Sequence, residues 1–316
     1  MLRLILKRLA IGLLTMFAAS IIVFLGTKVL TGDAAQLRLG QAATAENIAA
    51  MREKLGLDQP LIMQYFTWLF NFLQGDFGRS LSGDTQVVDL IADRYNNTLS
   101  VALLAMCIGV PISVALGILA AMLPGSVFDR VLTLVCVTLV ASPEFFSATV
   151  LVLFFVLWLD IGSAVVVGST AGLGLWGLLS HFALPVTVLC LVIASQLIRM
   201  TRSSLLNVMS SPYIEMAILK GLPRRDIILR HALRNAIGPI ANIIALNVAY
   251  LLTGVIVVEI FFAYSGLATL IVQGVQTRDY VVVQSLGMIF CAIYVVLMLI
   301  ADIAAIVSNP RLRHPK

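Results

Sequence analysis

Charge is scarce in this chain. Only 12% of its 316 residues are Asp, Glu, Lys or Arg, while 60% are hydrophobic. A water-soluble domain of this length needs far more polar surface, which excludes a soluble globular protein. Histidines number three and cysteines four. Cys107, Cys136, Cys190 and Cys291 all fall inside apolar runs, with neither metal spacing nor a disulfide framework. No H-E-x-x-H or clustered Cys/His pattern offers a metal site. The phosphate loop G-x-x-x-x-G-K-S/T is missing, so the chain should not itself hold ATP in that manner. No G-x-S-x-G elbow frames a nucleophilic serine, which leaves an intramembrane hydrolase with little support. The net charge of +5 is better explained by loop asymmetry across a bilayer than by nucleic-acid binding.

Long apolar runs dominate instead. A bilayer core requires about 20 apolar residues per helix. Six runs qualify, approximately Leu9–Leu30, Thr98–Leu123, Val131–Leu159, Phe182–Met200, Ile237–Phe261 and Val283–Val307. The first is followed by no small-residue cleavage site and reads as a retained span. These runs predict an all-α polytopic membrane protein. With both termini inside, the inner segments hold three basic residues before the first run (Arg3, Lys7, Arg8). They also hold Arg130, Arg199, Arg202, five from Lys220 to Arg234, and the tail's Arg311, Arg313 and Lys316, fourteen of the 21 in total. That bias predicts an N-in, C-in arrangement. Residues 31–97 then form an extracytoplasmic segment, residues 98–307 the core bundle, and residues 203–236 a cytoplasmic loop. No internal repeat or linker divides the chain, which reads as one bundle.

Several residues stand out within this frame. Ala45–Lys54 and Pro60–Leu73 have helical spacing, and the second carries Tyr65, Phe66, Trp68, Phe70 and Phe72. Such a cluster suits packing at the membrane–water interface or contact with a partner protein. Pro111, with Gly109 and Gly117 nearby, predicts a kink in the second run, structural or gating. Ser142, Pro143 and Glu144 lie near the middle of the third run. A carboxylate at that depth is costly and faces the bundle interior or a water-filled path. It either lines a solute pathway or is a buried, neutral or paired group. Asp302, near the inner end of the last run, is expected to pair with a basic residue. His181 reads as a local hydrogen-bonding group. Glu259 through Leu267 reads as a span end, a turn and a short re-entrant or surface helix.

The stretch Ser203–Pro239 is the longest basic segment, set between two apolar runs. It predicts two short helices broken at Gly221. Ser211 can cap the first, and Pro212 suits its first turn. Gly221 can take the left-handed conformation that ends a helix, and Pro223 blocks continuation. The second helix should run from about Pro223 to Ala236. A helix, a glycine bend and a basic helix point to a docking surface for another protein.

On these residues the chain resembles the inner-membrane permeases of binding-protein-dependent ABC importers, specifically the B-type subunits of the oligopeptide/dipeptide/nickel group. The pattern E-A-A, three residues, G appears as Glu215-Met216-Ala217-Ile218-Leu219-Lys220-Gly221. The peptide group's R-H-A-L-R-N-A run is matched by Arg230-His231-Ala232-Leu233-Arg234-Asn235-Ala236. Further similarity lies in Leu55-Gly56-Leu57-Asp58-Gln59-Pro60, Gly75-Asp76-Phe77-Gly78-Arg79-Ser80, Asn97-Thr98-Leu99, Val257-Val258-Glu259, Tyr264-Ser265-Gly266-Leu267, Arg278-Asp279-Tyr280 and Asn309-Pro310-Arg311-Leu312-Arg313. Met216 departs from the motif's first Ala, and Glu144 stands where an uncharged residue is expected. The loop after the third run looks short and carries one acid, Asp160.

The resemblance implies a multi-pass permease of the bacterial cytoplasmic (inner) membrane that forms half of a translocation pathway for peptides. It implies as partners a second homologous permease, two ABC ATPases that hold ATP and Mg, and a periplasmic or lipoprotein solute-binding protein, with lipid around it. It assigns ATPase coupling to Glu215, Met216, Ala217, Lys220, Gly221, Leu222, Arg224 and Arg225. No catalytic residue, metal, cofactor or nucleic acid is expected in this chain. Nickel chelates, glycosides or opine-like compounds are alternative cargoes. A stand-alone secondary transporter is a different class, distinguished by having no ATPase partner.

Overall fold

In hydrocarbon no water is available to satisfy a backbone N–H or C=O, so a chain this apolar must bond its backbone locally. The computed structural model describes residues 2–30, 34–39, 44–54, 56–166, 170 and 172–308, and these are helical apart from turns and one isolated bridge between Arg79 and Gln86. Leu55 and the Asn309–Arg313 run, both part of the resemblance, lie outside the described residues.

Ahead of the core come α1 (Leu2–Leu30), α2 (Ala34–Leu39), α3 (Ala45–Lys54), α4 (Leu61–Leu73) and α5 (Val87–Ala92). The helices α6 (Tyr95–Met122), α7 (Val127–Ala141) and α8 (Glu144–Val152) follow, and α8 continues as a π-helical turn over Leu153–Trp158. Next are α9 (Leu175–His181), α10 (Ala183–Met209), α11 (Pro212–Leu219) and α12 (Arg224–Asp226), with a second π segment at Ile227–Ala232. The chain then runs through α13 (Leu233–Phe261), α14 (Leu267–Gln276) and α15 (Tyr280–Ser308). Among the described residues five helices are long and apolar enough to cross a membrane, or six when α7 and α8 are taken as one broken span. The protein is thus an all-α polytopic membrane protein.

Three expectations are corrected. The third run is not one helix: α7 and α8 meet at a 111° bend. Pro143 cannot supply the N–H that would carry the helix on, and Ser142 and Pro143 both take extended backbone, at ψ 132° and 148°. The basic helix does not stop near Ala236, because Arg224–Phe261 is one helical run into the fifth span. The loop expected after the third run is not wholly loop, since α9 occupies Leu175–His181.

Contacts group the chain into two compact units. The first holds Leu99–Tyr264 with the N-terminal end of α1 and the C-terminal end of α15. Its centre is α10, whose Val188, Leu189, Ile193 and Leu197 are almost wholly buried against α6, α8 and α13. The α6–α10 contact is close because small residues face it. A Cβ at Gly117 would sit 2.8 Å from Thr201 Cβ and 2.9 Å from the Ile198 carbonyl. The helix persists through Pro111. At the start of α7, Ser126 caps the helix by accepting from the Asp129 N–H. Buried Asp129 accepts from Arg202 Nε at 2.6 Å and Nη2 at 2.8 Å, and from the Gly125 N–H. This fork ties α7 to α10. Asp302 pairs with Arg8 at 3.1 Å, the partner sought for it from the sequence.

The second unit holds Leu9–Thr98 and Ser265–Val295. Here the aromatic face of α4 packs on α1: Tyr65 bonds Ser20 Oγ at 2.7 Å, and the rings of Tyr65 and Trp68 lie 5.4 and 5.7 Å from Phe24. Asp279, 1% exposed, gathers the Ser80 hydroxyl, the Leu81 N–H and the Ser82 N–H onto one oxygen. It pins the segment before α5 to the start of α15.

The Asp129–Arg202 fork yields a stability prediction. Asp129→Ala leaves a guanidinium without its carboxylate and should cost about 3 kcal/mol. Adding Arg202→Met should recover most of that loss in thermal unfolding of the detergent-solubilised protein.

Candidate coupling surface and pathway residues

The helix α11 starts at Pro212, where a missing N–H removes nothing from the helix. Ser211 occupies the cap position with extended backbone, but its hydroxyl makes no cap bond; it turns back to the Val208 carbonyl. The expected side-chain cap is therefore absent. At the other end Gly221 has φ +74°. Its N–H bonds the Ile218 carbonyl at 2.9 Å, and the Leu222 N–H bonds the Ala217 carbonyl at 3.3 Å. These are the two bonds of a Schellman stop, which a left-handed glycine permits.

The helix has two unlike faces. Ile214 is fully buried and Ala217 is 8% exposed, both in a cluster with Leu205, Ile227, Ala232 and Ala236. The Tyr213 hydroxyl also accepts from the Asn235 amide at 2.8 Å. On the opposite face Met216 is 57% and Leu219 80% exposed, with Tyr213 and Ile218 also exposed. Glu215, Lys220, Leu222, Arg224 and Arg225 are exposed around them. Of the residues assigned to coupling, Ala217 alone is turned into its own chain's core. Tyr213, Ile218 and Leu219 were missed because, between apolar runs, an exposed apolar residue looks like a buried one. Their i, i+3 stripe Tyr213–Met216–Leu219 was the available signal. Close-packed interiors are nearly incompressible, so a push on α11 passes through Ile214 and Ala217 to α10 and α13.

The pathway candidates sit at the α7–α8 break. Ser142 is half-buried and its hydroxyl bonds the Thr138 carbonyl at 2.8 Å; Pro143 is exposed. Glu144 opens α8 and is half-buried. Its carboxylate lies over α13, beside the Tyr250 hydroxyl and against Gly254, where an added Cβ would stand 3.5 Å from Oε2. Oε2 is buried with no hydrogen-bond partner. The helix break thus carries the one residue of the trio able to hold charge, and directs it at a glycine. Among the described residues no group of three His, Cys, Asp or Glu is placed to hold a metal.

The family of binding-protein-dependent transport system inner membrane components matches residues 113–314, and its N-terminal part matches residues 1–102. The chain belongs to this family. It is a permease of a binding-protein-dependent ABC importer, located in the bacterial inner membrane, and the family works with ATPase and solute-binding partners. Its relatives include the glutathione transport system permease protein GsiC of Salmonella choleraesuis, 36% identical over 99% of this chain and 100% of that one. GsiC of Escherichia coli is 35% identical over the same shares. A protein of Sinorhizobium fredii named "Probable peptide ABC transporter permease protein y4tP" is 32% identical over 98% of this permease and 99% of its own length.

The two faces of α11 are separable by mutation. Ala217→Asp buries a carboxylate in an apolar cluster and should destabilise the permease by about 3 kcal/mol. Leu219→Asp, on the exposed face, should change stability by less than about 0.5 kcal/mol. Thermal unfolding of the two purified variants checks the contrast.

Proposed function

We propose that this permease forms half of the translocation pathway of a peptide importer and that α11 is where the ATPases drive it. A second homologous permease supplies the other half, and two ATPases carry the ATP and Mg. Both termini lie inside, which puts α11 on the cytoplasmic side with Lys220, Arg224 and Arg225 around it. The observation that carries the reading is the division of α11 itself. Ile214 and Ala217 are fixed to the core while Met216 and Leu219 stand exposed on a helix stopped at Gly221. An exposed apolar helix with a charged rim has the composition of an interface core and rim. Peptide cargo is supported by full-length similarity to permeases named for peptides and for glutathione, itself a tripeptide. Glu144, at the helix break, lines the pathway.

Two variants test this in the reconstituted importer. An added Cβ at Gly221 would meet nothing within 4 Å, so Gly221→Val acts through backbone strain alone, about 1–2 kcal/mol. Uptake of a labelled tripeptide should fall about tenfold while ATP hydrolysis continues, since about 1.4 kcal/mol is tenfold. Leu219→Asp should release the ATPases on purification. Normal coupled uptake in both would sink the coupling role.

Glu144→Gln should leave the complex assembled and change uptake kinetics unequally for cationic, neutral and anionic peptides. Identical kinetics across the three would remove Glu144 from the pathway.

A further inference from the structure

A cavity of about 210 Å³ lies in the second unit between α1, α4 and the start of α15. Lys28 and Asp76 bring opposite charges to it, with Gln64, Trp68, Asn71 and Tyr280 among its other walls. Lys28 is half-buried at the end of α1 and donates to Gln64 Oε1 at 2.6 Å. Its ammonium also lies 5.3 Å from the Phe24 ring centroid and 5.6 Å from that of Tyr280. The Gln64 amide nitrogen is held by the Leu57 and Gln59 carbonyls, at 3.0 and 2.7 Å, so its oxygen is committed to Lys28. Lys28 makes no ion pair among the described residues. One Asp76 oxygen accepts the Gly78 N–H at 2.9 Å. An ammonium has three donors, and here one is used by a neutral oxygen. A partly buried cation whose hydrogen-bond acceptor is a neutral oxygen favours an anion.

Directly beside this cavity a second, apolar hollow of about 510 Å³ runs along α4 past Phe66, Leu69, Phe70 and Leu73. Thr67 and Asn71 line both. The exposed side of α4 continues the apolar surface through Leu61, Ile62 and Met63. A charged cavity opening onto an apolar groove has the two-part chemistry of a lipid. We propose that the two hollows together bind one glycerophospholipid with an ethanolamine headgroup. Its phosphate meets Lys28 and the Asn71 amide, its ammonium meets Asp76, and an acyl chain lies along Phe66, Phe70 and Leu73. The cavity carries one positive and one negative group, which matches a zwitterionic headgroup and disfavours a purely anionic one. The aromatic walls and the end of a membrane helix place the site at headgroup level. Bound there, the lipid joins α1, α4 and α15 and secures the segment before α5 to the bilayer.

The test is native mass spectrometry of the whole importer released from detergent, exposed in turn to phosphatidylethanolamine, phosphatidylglycerol and phosphatidylcholine. Retention of phosphatidylethanolamine should exceed that of the other two, because phosphatidylcholine's quaternary ammonium cannot donate to Asp76. Lys28→Gln should lower retention about tenfold, as loss of a charge-assisted hydrogen bond does. Asp76→Asn should abolish the preference over phosphatidylglycerol, and Phe70→Asp should release the lipid. Unfolding temperatures close to that of the unaltered importer confirm that the variants remain folded. Equal retention of all three lipids, or no effect of Lys28→Gln, overturns the site. Soluble phosphoethanolamine competing as well as the intact lipid would show a headgroup site alone and overturn the acyl groove.

Discussion

Every part of this permease answers to one constraint: inside hydrocarbon, a backbone amide has no partner except another backbone amide or a side chain placed for it. The cheapest answer is an uninterrupted helix, and α6, α10, α13 and α15 take it over 27 to 29 residues each. Interruption is confined to a few places, and these hold the residues of interest. The break at Ser142–Pro143 turns the chain by 111° and brings Glu144 to the start of a helix. The stop at Gly221 frees α11 from the long helix that follows. Non-helical backbone is tolerated in a membrane protein where it is covered by protein or lines a cavity. The position of Glu144, with Oε2 buried and unpartnered against Gly254, fits that rule.

The proposed coupling and the stability of the bundle would draw on the same contacts. Ile214 and Ala217 hold α11 to a cluster shared with α10 and α13, and those two helices also carry the main core. Thus α11 cannot move without disturbing the helices that a pathway would use. The buried Asp129–Arg202 fork adds rigidity where α7 meets α10, and its directional bonds fix register better than apolar packing does. The substitutions at Ala217 and Leu219 separate these roles because the residues lie on opposite sides of one short helix.

Much of the fold was legible in the residues. Runs of apolar side chains long enough to span located the membrane helices, though α10 continues to Met209 past the expected Met200 and the fifth helical run begins at Arg224, well before Ile237. Asp302 found its basic partner in Arg8. Gly221 took the left-handed turn that its place after Lys220 required. Other features depended on local bonding that composition does not reveal. Ser211 had a competing acceptor in the Val208 carbonyl and used it, so the cap bond did not form. Ser142–Pro143 read as the middle of one span because apolar composition continues across it unchanged, and composition carries no record of the 111° bend.

The amino-acid sequence by itself determined the solvent of this protein, its helical class, its family and the stop at Gly221, because each follows from composition or from a few adjacent residues. Tertiary structure decided which sides of those helices are covered. Ala217 is buried and Leu219 exposed two positions apart, an outcome set by residues from Leu205 to Ala236 packing on one face. Asp279 is buried by a segment 199 residues away, and Lys28 shares a cavity with Asp76 through the packing of α1, α4 and α15. Burial and cavity formation are properties of pairs of distant surfaces, so they become fixed only when the helices meet.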